Sequence, residues 1–234
     1  MGRFQARFQA HFKSHFKAQI LALLRLSCFV FMGSLSLTLA AQTRVDAERD
    51  SLLKAVRFDD LQTVQELVKQ GQSPNQTETD RGETLLMICV REHSMKVFEH
   101  LLTSDKINLD LRANNGDTAL MLAAYLEQEA MLSALIAGHA KLDQDGWTAL
   151  HYAAVVGNEA IMKILLEHGA QVNALTPNQM TPLMLAARRG LVSPLRLLLE
   201  QGAQRDLKSK EGMTAYDFAL AAEQRAAQEI LKLN

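Results

Sequence analysis

From Leu52 onward, short apolar runs alternate with polar turns, and the runs come in pairs. The first run of each pair follows a threonine: "TLLMICV" at Thr84, "TALMLAA" at Thr118, "TALHYAA" at Thr148, "TPLMLAA" at Thr181 and "TAYDFAL" at Thr214. The second runs are "VFEHLLTS", "MLSALIAGHA", "IMKILLEHGA", "PLRLLLEQGA" and "AAQEILKLN". The threonines stand 34, 30, 33 and 33 residues apart. A period near 33 with two short helix-like runs per period predicts a stack of helix pairs, because one such unit cannot bury its apolar face alone.

The residues at fixed places in the period have physical reasons to be there. Thr148 offers a hydroxyl to cap the first helix, and Pro182 takes the first-turn position that tolerates proline. The small pairs Ala123-Ala124, Ala153-Ala154 and Ala186-Ala187 let neighbouring first helices approach closely. Gly169 and Gly202 supply left-handed stops after the second helices, and Gly146 makes the turn before Thr148.

On these residues the chain resembles the ankyrin-repeat family. "DQDGWTALHYAAVVGNEAIMKILLEHGAQVNA", Asp143 to Ala174, matches that repeat almost throughout. The resemblance implies an all-α solenoid with short β-turn fingers: an N-terminal cap at 51–78, repeats at about 79–112, 113–142, 143–175 and 176–208, and a C-terminal cap at 209–234. It departs from the pattern at Gln179, which stands in place of glycine and leaves that turn strained or of another type. The loop between Ala140 and Gly146 is three residues shorter than its counterpart after Ala170, so one finger is expected to be stubby.

Ahead of the repeats, Arg3, Arg7, Lys13, Lys17 and Arg25 are the only charged residues in 1–41. A basic lead-in (1–25), an apolar run (26–41, "LSCFVFMGSLSLTLAA") and small residues at its end read as a signal peptide cut after Ala40 or Ala41, with a linker at 42–50. The expected location is therefore periplasmic or secreted; an uncleaved leader anchoring the chain is the alternative, and the one expected route to a membrane. Setting the leader aside leaves 20 basic against 26 acidic residues. Such a body has no basic stripe, which argues against nucleic acid.

No nucleophile elbow, phosphate loop, paired-cysteine motif or HExxH stands in the body, so no catalytic residue, metal or cofactor is expected. Cys89 falls at a packed first-helix position and reads as an inert thiol. His151 reads as a scaffold residue bonded within the junction of turn and helix.

The resemblance implies a monomeric, non-enzymatic module that binds a partner protein through finger tips and the inner ends of the first helices. Carried over by position, the tip residues are Glu83, Asn115, Asp117, Asp145, Trp147, Met180 and Met213, and the helix ends are Arg91, Tyr125, Leu126, Val155, Val156, Arg188 and Arg189. Trp147 is expected to stand exposed on its finger, since nothing in the scaffold demands tryptophan there. The bland reading is that some of these residues merely pack against neighbouring fingers. In size and layout the chain also resembles small exported bacterial members associated with oxidative-stress enzymes, which implies an alternative as an accessory or chaperone-like factor for an exported enzyme. A second alternative is a metal-binding or enzymatic site that no motif records.

Overall fold

The computed structural model describes residues 44–232. The leader expected over 1–41 lies outside the described residues. Contacts divide the chain into two units, Met1–Asp50 and Ser51–Asn234. In the first, the described residues 44–50 are helical. Their charges pair along the helix: Arg44 meets Glu48 at 2.8 Å and Arg49 meets Asp46 at 3.6 Å, the spacings at which helix neighbours touch. Among the described residues no helix is long and apolar enough to cross a membrane.

Among its described residues the second unit is all-helical apart from one isolated β-bridge, Thr77 to Thr84. Its helices are α1 (51–57), α2 (Leu61–Lys69), α3 (Leu85–Glu92), α4 (Met95–Leu102), α5 (Ala119–Tyr125), α6 (Glu129–Ala137), α7 (Ala149–Val156), α8 (Glu159–Glu167), α9 (Pro182–Arg189), α10 (Val192–Glu200), α11 (Ala215–Ala221) and α12 (Arg225–Leu231). First helices α3, α5, α7, α9 and α11 stack in sequence, each next to the one before. The small residues allow it: Ala123, Ala124, Ala153, Ala154, Ala186 and Ala187 are all fully buried.

Each first helix begins at its threonine. The hydroxyls of Thr84, Thr118, Thr148, Thr181 and Thr214 accept the backbone N–H of Met87, Met121, His151, Met184 and Asp217, at 3.2–3.4 Å. These bonds satisfy donors that the start of a helix otherwise leaves unpaired. The second helices α8 and α10 give way to Gly169 and Gly202 at φ +93° and +85°. After α6 the left-handed residue is His139 at φ +66°, not Gly138.

A ladder of side chains ties each inter-repeat loop to the next. Asn75 Oδ1 accepts Asn108 N–H, Asp110 Oδ1 accepts Lys141 N–H, Asp143 Oδ2 accepts Gln171 N–H and Asn173 Oδ1 accepts Gln204 N–H, all at 2.8–2.9 Å. Beyond each rung lies a finger, and the short finger of the Asp143 repeat leaves its rung intact.

Gln179 keeps the turn of the other fingers. It lies at φ +57°, where Gly82, Gly116, Gly146 and Gly212 lie at +67°, +88°, +98° and +79°. A side chain in this region costs about 1 kcal/mol relative to glycine. Gln179→Gly is therefore expected to raise stability by about 0.5–1 kcal/mol, read as a higher urea midpoint at unchanged slope; a lower midpoint would mean that the turn does not hold this conformation.

Candidate functional site

At the junction of α7 and its finger, the scaffold role expected of His151 is in place. The ring is fully buried. Nδ1 accepts the N–H of Thr148 at 3.1 Å, with the Thr148 hydroxyl 2.9 Å away. The proton therefore sits on Nε2, which points at the carbonyls of Ala174 and Met180 at 3.0 and 3.1 Å. One imidazole thus joins two repeats. Burial disfavours its charged form and brings its pKa down to about 4, although the two carbonyls favour the proton.

The first finger departs from expectation. Glu83, expected at an exposed tip, is only 5% exposed. Its carboxylate is held by Nη2 and Nε of Arg91, the second at 3.2 Å, while Arg81 stands 3.8 Å away. The buried Glu78 is held in turn by Arg57 at 3.0 Å and Arg81 at 3.1 Å. Two acids taken out of water need such cations beside them. Glu83 and Arg91 therefore serve the scaffold, and their charges are spent on each other.

Between the second and third fingers the structure gathers the aromatic residues. Tyr125 closes α5 and is 48% exposed. Its ring meets Tyr152, on α7, edge-on with centroids 5.6 Å apart. Trp147 meets Tyr152 from the third finger at 5.1 Å and a 35° tilt, and His151 at 5.7 Å. Trp147 is therefore half-buried, which corrects the exposed ring expected from its finger position: neighbours on α7 cover one side of it. The Tyr152 hydroxyl donates to Asp117 Oδ1 at 2.6 Å, and Asp117 Oδ2 accepts from Asn115 Nδ2 at 2.6 Å. Burial, and then the Asp117 carboxylate, push the Tyr152 phenol well above its ordinary pKa.

Tyr152 was missed by sequence reasoning. Its counterparts at the same place in the period are Ile88, Leu122, Leu185 and Phe218, so a hydroxyl where the other copies have none was the available signal.

The remaining expected residues divide by packing. Leu126, Met180 and Met213 are partly buried and pack against the core. Val155 and Val156, at the end of α7, are half-buried, and Arg188 and Arg189, at the end of α9, are exposed. Asn115 and Asp145 are exposed on their fingers. Arg112 donates to Gln144 Oε1 and to the carbonyls of Gly116 and Asp145 at 2.9–3.1 Å, tying the second finger to the third.

No cluster of three or more His, Cys, Asp or Glu that could hold a metal occurs among the described residues. Cys89 is fully buried, and burial, with Asp59 nearby, pushes its thiol far above the range in which a thiolate forms.

The repeat pattern and its geometry agree with known proteins. A family described as "Ankyrin repeats (3 copies)" matches residues 52–143 and 106–176, and one described as "Ankyrin repeats (many copies)" matches 165–219. The chain belongs to the ankyrin-repeat family.

Among the relatives, neurogenic locus notch homolog protein 1 of Homo sapiens is 33% identical over 164 residues, covering 69% of this chain and 6% of that protein. Protein glp-1 of Caenorhabditis elegans is 29% identical over 191 residues, 75% of this chain and 15% of that protein. The chain thus spans only a small part of the curated relatives it matches. One chain of the solved complex of predatory endopeptidase Bd0816 from Bdellovibrio bacteriovorus with immunity protein Bd3460 superposes with a TM-score of 0.67 at 28% identity, covering 77% of this chain and 96% of that one. As a run of ankyrin repeats, this chain is a protein–protein interaction module.

Proposed function

We propose that the ankyrin domain acts without catalysis, as a monomer, by gripping one partner protein with the second and third fingers and the ends of α5, α7 and α9. The observation that carries this reading is the cluster of Tyr125, Tyr152 and Trp147. No other copy carries a hydroxyl at the Tyr152 position, and Tyr125 leaves half its surface in water. Aromatic anchors beside polar and charged residues are the make-up of a binding hot spot. Around this centre lie Asn115, Asp117 and Asp145 on the fingers, Val155 and Val156 on α7, and Arg188 and Arg189 on α9.

The partner proposed is an exported enzyme. Two observations support this choice: the signal-like leader, and the similarity to a chain from a complex of an endopeptidase with an immunity protein. The role proposed with it is accessory or inhibitory, toward an enzyme in the periplasm or outside the cell.

Capture from the exported fraction, followed by titration with the purified partner, tests the reading. Trp147→Ala is expected to weaken binding about thirtyfold, about 2 kcal/mol, the usual scale for truncating a central aromatic anchor. Because the ring also packs on Tyr152 and His151, stability should fall too, by about 1–2 kcal/mol. Unchanged affinity in a folded Trp147→Ala variant would move the binding face elsewhere.

A further inference from the structure

The aromatic cluster has a charge on its rim. Asp117 is fixed there by the Tyr152 hydroxyl and by Asn115 Nδ2, and among the described residues no lysine or arginine pairs with it. Asp145 stands exposed on the neighbouring finger. Arg112, the cation on these fingers, spends its donors on Gln144 and two carbonyls. Rings carry negative charge on their faces, so three rings and a carboxylate converge on one preference: a cation. Arginine suits the place better than lysine, because its planar guanidinium stacks on rings while its edge still donates to a carboxylate.

We propose that Tyr125, Tyr152 and Trp147, with the Asp117 carboxylate on their rim, seat an arginine side chain of the partner protein. The inference rests on the protein-binding reading and names the chemistry of its central contact. Asp117 directs the guanidinium, Tyr152 holds Asp117 in place, and Tyr125 and Trp147 supply the faces. The tie from Asn115 keeps the carboxylate turned to the rings even before a partner arrives.

The test uses the full chain and the probe acetyl-Gly-Arg-Gly-amide. Trp147 is the sole tryptophan of the sequence and reports directly on the seat. A saturable change in its emission is expected with the arginine probe. The same peptide with citrulline, which keeps the shape and loses the charge, is expected to bind at least about tenfold more weakly, as is the arginine probe to Asp117→Asn. Tyr125→Ala, whose exposed ring makes it a mild change for the fold, should weaken the probe about threefold to fivefold. Equal binding of the arginine and citrulline probes, or tighter binding of a glutamate probe, overturns the seat. So does the lack of a saturable response to the arginine probe. If the seat fails in any of these ways while capture of the partner still depends on Trp147, the protein-binding reading stands with a different central contact. If capture does not depend on Trp147, that reading falls.

Discussion

Replacing His151 with alanine is expected to cost the fold about 3 kcal/mol. The variant leaves the Thr148 N–H without its imidazole acceptor and takes the Nε2 donor away from the carbonyls of Ala174 and Met180. Each buried group stripped of a partner costs about 1–3 kcal/mol, and the space of a fully buried ring adds a cavity term. Urea unfolding of the purified domain measures the loss. The damage should concentrate where two repeats meet, so hydrogen exchange is expected to quicken first around α7 and the fourth finger. A loss under about 1 kcal/mol would mean that water replaces the imidazole at those carbonyls.

The native domain is expected to weaken by about 3 kcal/mol as the pH falls from 6.5 to 4. The His151 imidazole takes a proton near pH 6.5 in the unfolded chain, but only at about 4 in the fold, where burial opposes the charge. Across that window the unfolded state binds the extra proton, so stability is complete above it and is lost on acidification, at about 1.4 kcal/mol per pH unit. Two carboxylates act further down. Asp60 is held below its usual range by the hydroxyl and backbone of Thr63, and Asp217 by the backbone and hydroxyl of Thr214. Their contributions are lost mainly below pH 4. Urea midpoints at pH 7, 5.5 and 4 check the slope, and His151→Gln should flatten it. A slope that survives in His151→Gln would assign the acid sensitivity to other groups.

What the sequence made legible was whatever one residue and its place in the period decide. Each threonine caps a helix because a hydroxyl before an apolar run has one geometric use, and paired alanines stack because nothing larger fits. His151 was legible for the same reason. The misreadings concern which side chains fold back onto a finger from its own copy. Glu83 looked like a tip residue, but Arg91 on the far turn of α3 and Arg81 on the finger draw it inward. Trp147 looked exposed because its finger is a turn, yet the short third finger lets Tyr152 and His151 cover one face. Tyr152 hid among apolar counterparts, although its hydroxyl is what fixes Asp117. Whether a side chain at the tip turns inward depends on the folded path of its own finger and first helix, whereas the tie from Tyr152 to Asp117 joins residues of adjacent copies.

The ladder of Asn and Asp side chains sets where this chain can change length. At the rungs Asp110, Asp143 and Asn173, the backbone N–H that donates to the previous rung (from Asn108, Lys141 and Gln171) comes two residues before the side chain that accepts from the next loop. Any insertion between those two positions would throw the repeats out of step. From the rung to the capping threonine the stretch is elastic, being shorter from Asp143 to Thr148 than from Asp110 to Thr118 or from Asn173 to Thr181. The domain therefore has separate places for holding step and for growth: new recognition loops can be grafted between rung and cap, one finger at a time, without asking neighbouring repeats to move.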